Sequence, residues 1–157
     1  ERLYRLKGRR PDKPAAVMFF ALESALAALA ELGPRTRAAV ERLLPGAVTL
    51  VLPNPARRYP LACGPAPDRL GVRVPLLEGE LAPLASMRWP VLQSSANRAG
   101  GPDARRLCEV PAEVRAGVDL VLEEPDDGHE LTRLLGCCGW LVIVVRDVER
   151  HRLSPRE

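Results

Sequence analysis

Aromatic residues make up only 4% of the 157 residues, which leaves few rings for stacking unpaired bases and argues against a single-stranded nucleic-acid platform. Histidine is nearly absent, with two copies. The four cysteines, at positions 63, 108, 137 and 138, contain no CxxC spacing. No structural zinc site is therefore expected, and adjacent Cys137 and Cys138 are poorly placed either to share a metal or to bridge each other. Long apolar runs are missing too. The longest is interrupted by Glu23, so neither a membrane span nor a signal peptide is supported. The expected compartment is the cytoplasm, with reduced thiols. Net charge is +3, too small on its own to argue for nucleic-acid binding.

Arginine and proline are abundant. There are 16 prolines and 23 lysines plus arginines, mostly arginine, on a background of 46% hydrophobic and 27% charged residues. That background is ordinary for a globular protein; the bias toward stiff loops and guanidinium groups fits a GC-rich genome as well as heat resistance. A chain of this length is one domain by default and buries roughly 70% of its unfolded surface. Its charge is unevenly spread. Six of the first 14 residues are Lys or Arg, Arg98, Arg105 and Arg106 follow a polar turn, and five acids fall between Glu123 and Glu130. A basic face at one site would serve a nucleotide as well as RNA.

Hydrophobic period and breaker residues predict alternating elements. Helices are expected at 2–7, 22–32 (closed by Gly33-Pro34), 35–44 (stopped by Pro45-Gly46), 76–85, 104–109 and 111–116. Strands are expected at 16–20, 48–52, 71–74, 91–94 and 118–122, with Trp140 to Val145 as a last apolar strand. The proline- and arginine-rich loop 53–70 is placed as a cover for the site. This alternation predicts a layered α/β domain, a twisted mixed sheet flanked by helices, without repeat or linker. Leu22, Leu26, Leu29 and Ala30 sit at helical spacing and are read as core. His129 and His151 fall in charged segments and are expected in solvent.

Four segments carry chemistry. Ser94-Ser95-Ala96-Asn97 follows a short strand and leads into Gly100-Gly101, so polar groups gather at a strand end, where ligands bind in α/β sheets. Lys7-Gly8-Arg9 combines a compact cation, a planar guanidinium fork and a residue without side chain, a set suited to phosphate oxygens. Pro45-Gly46-Ala47-Val48-Thr49-Leu50 opens a strand. Gly71-Val72-Arg73-Val74-Pro75 places one charge within a strand; Arg73 faces either solvent or an anion at the sheet rim. Each segment alone has an ordinary structural explanation in turns and solvated loops.

In this order, KGR…KP, PGxxTLVL, GVRVP and SSAN…G resemble the YrdC-like family of threonylcarbamoyl-adenylate synthases, from about Leu3 to about Leu122. The resemblance implies condensation of L-threonine, bicarbonate and ATP to threonylcarbamoyl-adenylate and pyrophosphate, for the threonylcarbamoyl-adenosine modification of transfer RNA. ATP is then a substrate accompanied by Mg²⁺, and the partners are threonine, bicarbonate, transfer RNA and the downstream transfer machinery. It further implies Lys7 and Arg9 as catalytic cations over the ATP phosphates, Lys13 and Asn97 on the nucleotide, and Arg73 and Ser95 on threonine. The alternative of another class is a nucleotide- or double-stranded-RNA-binding module of the same fold without turnover. A carbamoyl-adenylate-forming domain of a hydrogenase-maturation protein ranks last, since no zinc-finger or acylphosphatase segment is visible.

The chain also departs from the family pattern. It starts within the helix leading to KxR, so 1–157 is expected to be one N-terminally truncated domain lacking the TxYGL-like segment of the threonine pocket. Arg10 replaces a usual proline, Ala15 a usual leucine, and Met18 stands where some relatives have histidine. Residues 123–157 form a divergent C-terminal segment without the PSTVV-like strand, as a frame shift near His129 would produce. Alterations at both ends of the site would impair turnover.

Overall fold

The computed structural model describes residues 2–102, 104, 107–123 and 141–144. Arg105, Arg106, both histidines and most of the divergent segment lie outside the described residues.

Three short strands and one of five residues build a mixed sheet. They are β1 (Ala16–Met18), β2 (Leu50–Pro53), β3 (Arg69–Arg73) and β4 (Val91–Gln93), in the order β2-β3-β1-β4. β1 runs parallel to β3 and antiparallel to β4, and β2 is antiparallel to β3. Register places Val17 beside Val72 and Leu92, and Val72 also beside Leu50. Since side chains alternate across a strand, Val17, Leu50, Leu52, Leu70 and Val72 share one face, while Ala16, Met18, Gly71, Arg73, Val91 and Gln93 share the other.

The first face is the core. Helices α2 (Leu22–Ala28) and α3 (Pro34–Leu43) contribute Ala25 and Val40, which join Val17, Phe19, Leu29, Leu32, Leu44, Leu70, Val72 and Val74 in one buried cluster. Each such Val, Leu or Phe contributes about 1.5–3 kcal/mol of transfer free energy. Pro34 at the first turn of α3 suits a position whose N–H has no helical partner. α2 ends four residues earlier than its alanine-leucine period predicts. The chain turns at Leu29, and Leu32 N donates to Leu29 O at 3.1 Å, so that both leucines are buried; packing outweighs the helix preference of the run.

Loop 53–70 is not a loose cover. It contains a short helix, α4 (Pro60–Cys63), whose Ala62 and Cys63 belong to the core. The buried Asn54 amide organises it, donating to the carbonyls of Arg58 at 2.9 Å and Pro67 at 3.0 Å while accepting from Arg58 N at 2.9 Å. Tyr59 meets Phe19 edge to face, with ring centroids 5.9 Å apart. Arg58 Nε donates to Glu31 at 2.8 Å, and that bond holds the Glu31 carboxyl below its ordinary value.

Two expected helices are tighter 3₁₀ segments, at Gly79–Ser86 and Leu107–Glu109. Pro83 inside the first lacks the donor an α-helix needs there. The helix expected at 111–116 is α5 (Ala112–Ala116), and the strands expected near 118–122 and 140–145 are β5 (Leu120–Glu123) and β6 (Leu141–Val144), an antiparallel pair. Among the described residues no helix is long and apolar enough to cross a membrane.

Candidate functional site

Helix α1 (Arg2–Leu6) is only five residues long, too short to persist alone, and tertiary contacts fix it. Arg2 grips the Asp119 carboxylate with two bonds of 3.0 and 2.8 Å and also donates to Gly117 O at 3.0 Å. Leu6 packs with Ala96, Ala104, Val110 and Val114 in a second small core. The C-terminal end of α1 is thereby set against the turn that follows β4, bringing residues nearly 90 positions apart together.

Lys7 leaves the helix at this junction and is only 2% exposed. Its ammonium donates to Ser94 Oγ at 2.6 Å, to the Ser95 carbonyl, and to Asn97 Oδ1 at 3.4 Å. The backbone closes the same junction, with Ala99 N donating to Lys7 O at 3.0 Å. Within the turn, Ser95 Oγ donates to Asn97 Oδ1 and Asn97 Nδ2 donates to Gly101 O, each at 2.6 Å. Ser95 and Asn97 thus hold one another in place.

Gly8 follows at φ +58°, a left-handed conformation that glycine adopts without steric cost, and redirects the chain so that Arg9 reaches the same turn. One guanidinium nitrogen of Arg9 donates to Ser94 Oγ at 3.3 Å and another to Pro14 O at 2.5 Å. The guanidinium lies 5.9 Å from the ring centre of Tyr4. Burial raises the Tyr4 phenol above its ordinary value, and the charge of Arg9 offsets part of that shift. Tyr4 in turn donates to Lys13 O at 2.8 Å. The loop is also pinned from α4, where Ala15 N donates to Ala62 O at 2.9 Å and Gly64, at φ +57°, passes so close that a Cβ there would lie 2.3 Å from Asp12 O.

The electrostatic consequence concerns anions. Lys7 and Arg9 both touch one neutral oxygen, so their charged nitrogens lie within the sum of those two bond lengths. At about 5 Å and an effective dielectric near 20, two like charges repel by about 3 kcal/mol, and an anion between them removes that penalty. In addition, Arg9 Nε is buried with no hydrogen-bond partner, which carries a desolvation cost.

Lys7, Arg9, Ser95 and Asn97, four of the expected site residues, are therefore brought into one cluster. Lys13 lies in the same basic loop with its side chain exposed, and only its backbone takes part in the bonds described. Arg73 ends β3 in a row with Met18 and Val91, on the same sheet face as Gln93. Two strands across and two residues along from Gln93, it stands about 12 Å from the residue that leads into the turn, taking ordinary sheet spacings. That separation suits the two ends of one extended ligand. Between them the face carries Ala16 and Met18 of β1. Sequence reasoning gave Ser94 no role, although it bridges both cations; its position beside the SxN pair was its only signal. Arg98, bonded to Glu113 at 2.7 Å, ties the turn to α5.

A search of curated proteins finds no match. A family profile described as "Telomere recombination", spanning the Sua5, YciO and YrdC proteins, matches residues 1–132. Among solved structures the chain is similar to a variant of P. abyssi Sua5, at 30% identity and a TM-score of 0.55 over 69% of this chain and 33% of that one. It is also similar to P. abyssi Sua5 complexed with L-threonine, at 27% identity and a TM-score of 0.55, covering 69% of this chain and 32% of that one. MTH1692 of Methanobacterium thermoautotrophicum is 34% identical over 77% of this chain and 56% of its own, with a TM-score of 0.48. The chain spans about a third of the length of the Sua5 structures it matches. With its profile match over most of the sequence and its mixed α/β sheet, the chain belongs to the Sua5/YciO/YrdC family.

Proposed function

We propose that this chain carries the phosphate-binding part of a threonylcarbamoyl-adenylate synthase acting in transfer RNA modification. The observation that supports the reading best is the convergence of Lys7 and Arg9 on the turn that carries Ser95 and Asn97. In the proposed reaction the threonine amine combines with bicarbonate, losing water, to give a carbamate. A carbamate oxygen attacks the α-phosphorus of ATP as the bond to pyrophosphate breaks.

That step gathers negative charge on the phosphate oxygens, and fixed cations that need no reorganisation lower its barrier. Arg9 is the better placed to touch the phosphates directly, because its side chain is only half-buried whereas Lys7 is 2% exposed. Lys7 holds the turn and adds charge from behind, its protons being directed at Ser94, Ser95 and Asn97. Asn97 faces the nucleotide, with Lys13 on the solvent side of it. Arg73 pairs with the carboxylate of threonine and Ser95 faces the amino acid; that the related P. abyssi Sua5 is complexed with L-threonine supports threonine as the ligand. Among the described residues there is no carboxylate, histidine or cysteine cluster able to hold a metal ion; Mg²⁺ is assigned to the substrate, as the counter-ion of the ATP phosphates.

The test is release of pyrophosphate by the chain supplied with Mg·ATP, bicarbonate and L-threonine, with each omitted in turn. Release that requires all three supports the synthase. ATP binding with no release would replace it by the nucleotide-binding module, and absence of ATP binding would remove both.

A further inference from the structure

We propose that Ser94 is a positioning residue whose hydroxyl sets the spacing of Lys7 and Arg9 for a triphosphate. The inference rests on the phosphate reading above and adds to it the first serine of the SSAN segment, to which the sequence assigned no role. A serine oxygen has two lone pairs, and here it accepts from Lys7 Nζ at 2.6 Å and from the Arg9 guanidinium at 3.3 Å. Nothing about two like charges would keep them together. The shared acceptor does so together with the Ser95 carbonyl and Asn97 on Lys7 and the Pro14 carbonyl on Arg9, and being neutral it adds no negative charge of its own between the cations. A carboxylate in its place would hold the cations equally well and consume their affinity.

The position of the hydroxyl is itself fixed. Ser94 directly follows Gln93, which is paired in register with Ala16 of β1, so the sheet delivers Ser94 to one place. On its other side, the Ser95 and Asn97 side chains bond each other and Gly101. The Ser95 hydroxyl is therefore engaged within the turn, and the Ser94 hydroxyl is the side chain that bridges the cations.

The experiment is titration of sodium tripolyphosphate and of ATP into the full chain by calorimetry, for wild type, Ser94→Ala, Ser94→Thr, Ser94→Cys and Arg9→Met, with thermal unfolding of each without ligand. A hydrogen bond to a charged group, taken at its lower magnitude, corresponds to roughly a tenfold change in affinity. Ser94→Ala and Ser94→Cys are expected to weaken both ligands by about tenfold, while Ser94→Thr, which keeps the hydroxyl, stays within about twofold of wild type. The unfolding midpoint of Ser94→Ala without ligand should fall little, since Lys7 keeps the Ser95 carbonyl and Asn97, and Arg9 keeps the Pro14 carbonyl. Wild-type affinity in Ser94→Ala or Ser94→Cys, with binding lost in Arg9→Met, would overturn the role of Ser94 and leave the phosphate reading standing. Failure of Ser94→Thr to restore binding would also overturn it, by showing that the turn and not the hydroxyl matters. A wild-type chain that binds neither ligand removes both ideas together.

Discussion

Replacing Arg9 by methionine should leave stability almost unchanged while abolishing the response to anions, a pattern expected of a ligand site and not of a structural contact. Methionine keeps the apolar stem near Tyr4 and removes the charge. Loss of the guanidinium relieves about 3 kcal/mol of repulsion from Lys7, together with about 1 kcal/mol for the buried Arg9 Nε that has no partner. Against this stand the bond to Pro14 O at 2.5 Å, about 2 kcal/mol, and the longer bond to Ser94 at 3.3 Å, about 1 kcal/mol. The balance lies within about 1 kcal/mol of zero, or roughly 2–4 °C in the midpoint for a chain of this size. Thermal unfolding at low salt, with and without tripolyphosphate, measures both sides. At a hundred times its dissociation constant a bound anion stabilises the wild type by about 2.7 kcal/mol, whereas the variant should gain little. Raising the salt should narrow the difference, as screening weakens both repulsion and binding. A variant destabilised by more than about 3 kcal/mol without anion, or stabilised by tripolyphosphate as much as wild type, would refute the reasoning.

Two further outcomes are expected. Gly64→Ala places a Cβ 2.3 Å from the Asp12 carbonyl at a φ of +57°, which should cost of order 1–3 kcal/mol in strain alone; urea denaturation reads the loss, and tripolyphosphate affinity should fall with it because the loop carrying Arg9 is displaced. On acidification, Glu31 is held below its ordinary value first by its bond from Arg58, and Glu113 first by its own backbone amide and then by Arg98. The folded state therefore binds their protons less readily than the unfolded chain does. Their contribution is complete above the usual carboxylate range and disappears as pH drops through the depressed values. The urea midpoint of a Glu31→Gln, Glu113→Gln double variant should accordingly vary less between pH 6 and pH 3 than that of wild type, and equal slopes would contradict the assignment.

The sheet was legible where the sequence alternates or carries breakers. Helical spacing pointed to Leu22, Leu26 and Leu29 as core, where they are found, and Pro45-Gly46 marked the end of α3. Less legible were features set by distant contacts. The early end of α2 follows from burial of Leu29 and Leu32, and α4 within loop 53–70 exists because Asn54 satisfies carbonyls that no local pattern reveals. At the candidate site, residue chemistry singled out Lys7, Arg9, Ser95 and Asn97, which the fold brings together, but not how their contacts are divided. That Lys7 is buried and faces the turn while Arg9 retains an unpaired donor depends on how α1 is seated. The Arg2 to Asp119 contact that seats it spans 117 positions of chain, beyond any motif.

Because the Lys7 ammonium fastens the start of the chain to a turn 87 positions later, the proposed anion cradle comes into being only when these two distant segments have closed on each other. Local fluctuations that open it should coincide with near-global unfolding. Occupancy of the cradle would then slow amide exchange in β1 and β4 together, so that a ligand acts as a fastener for the entire sheet.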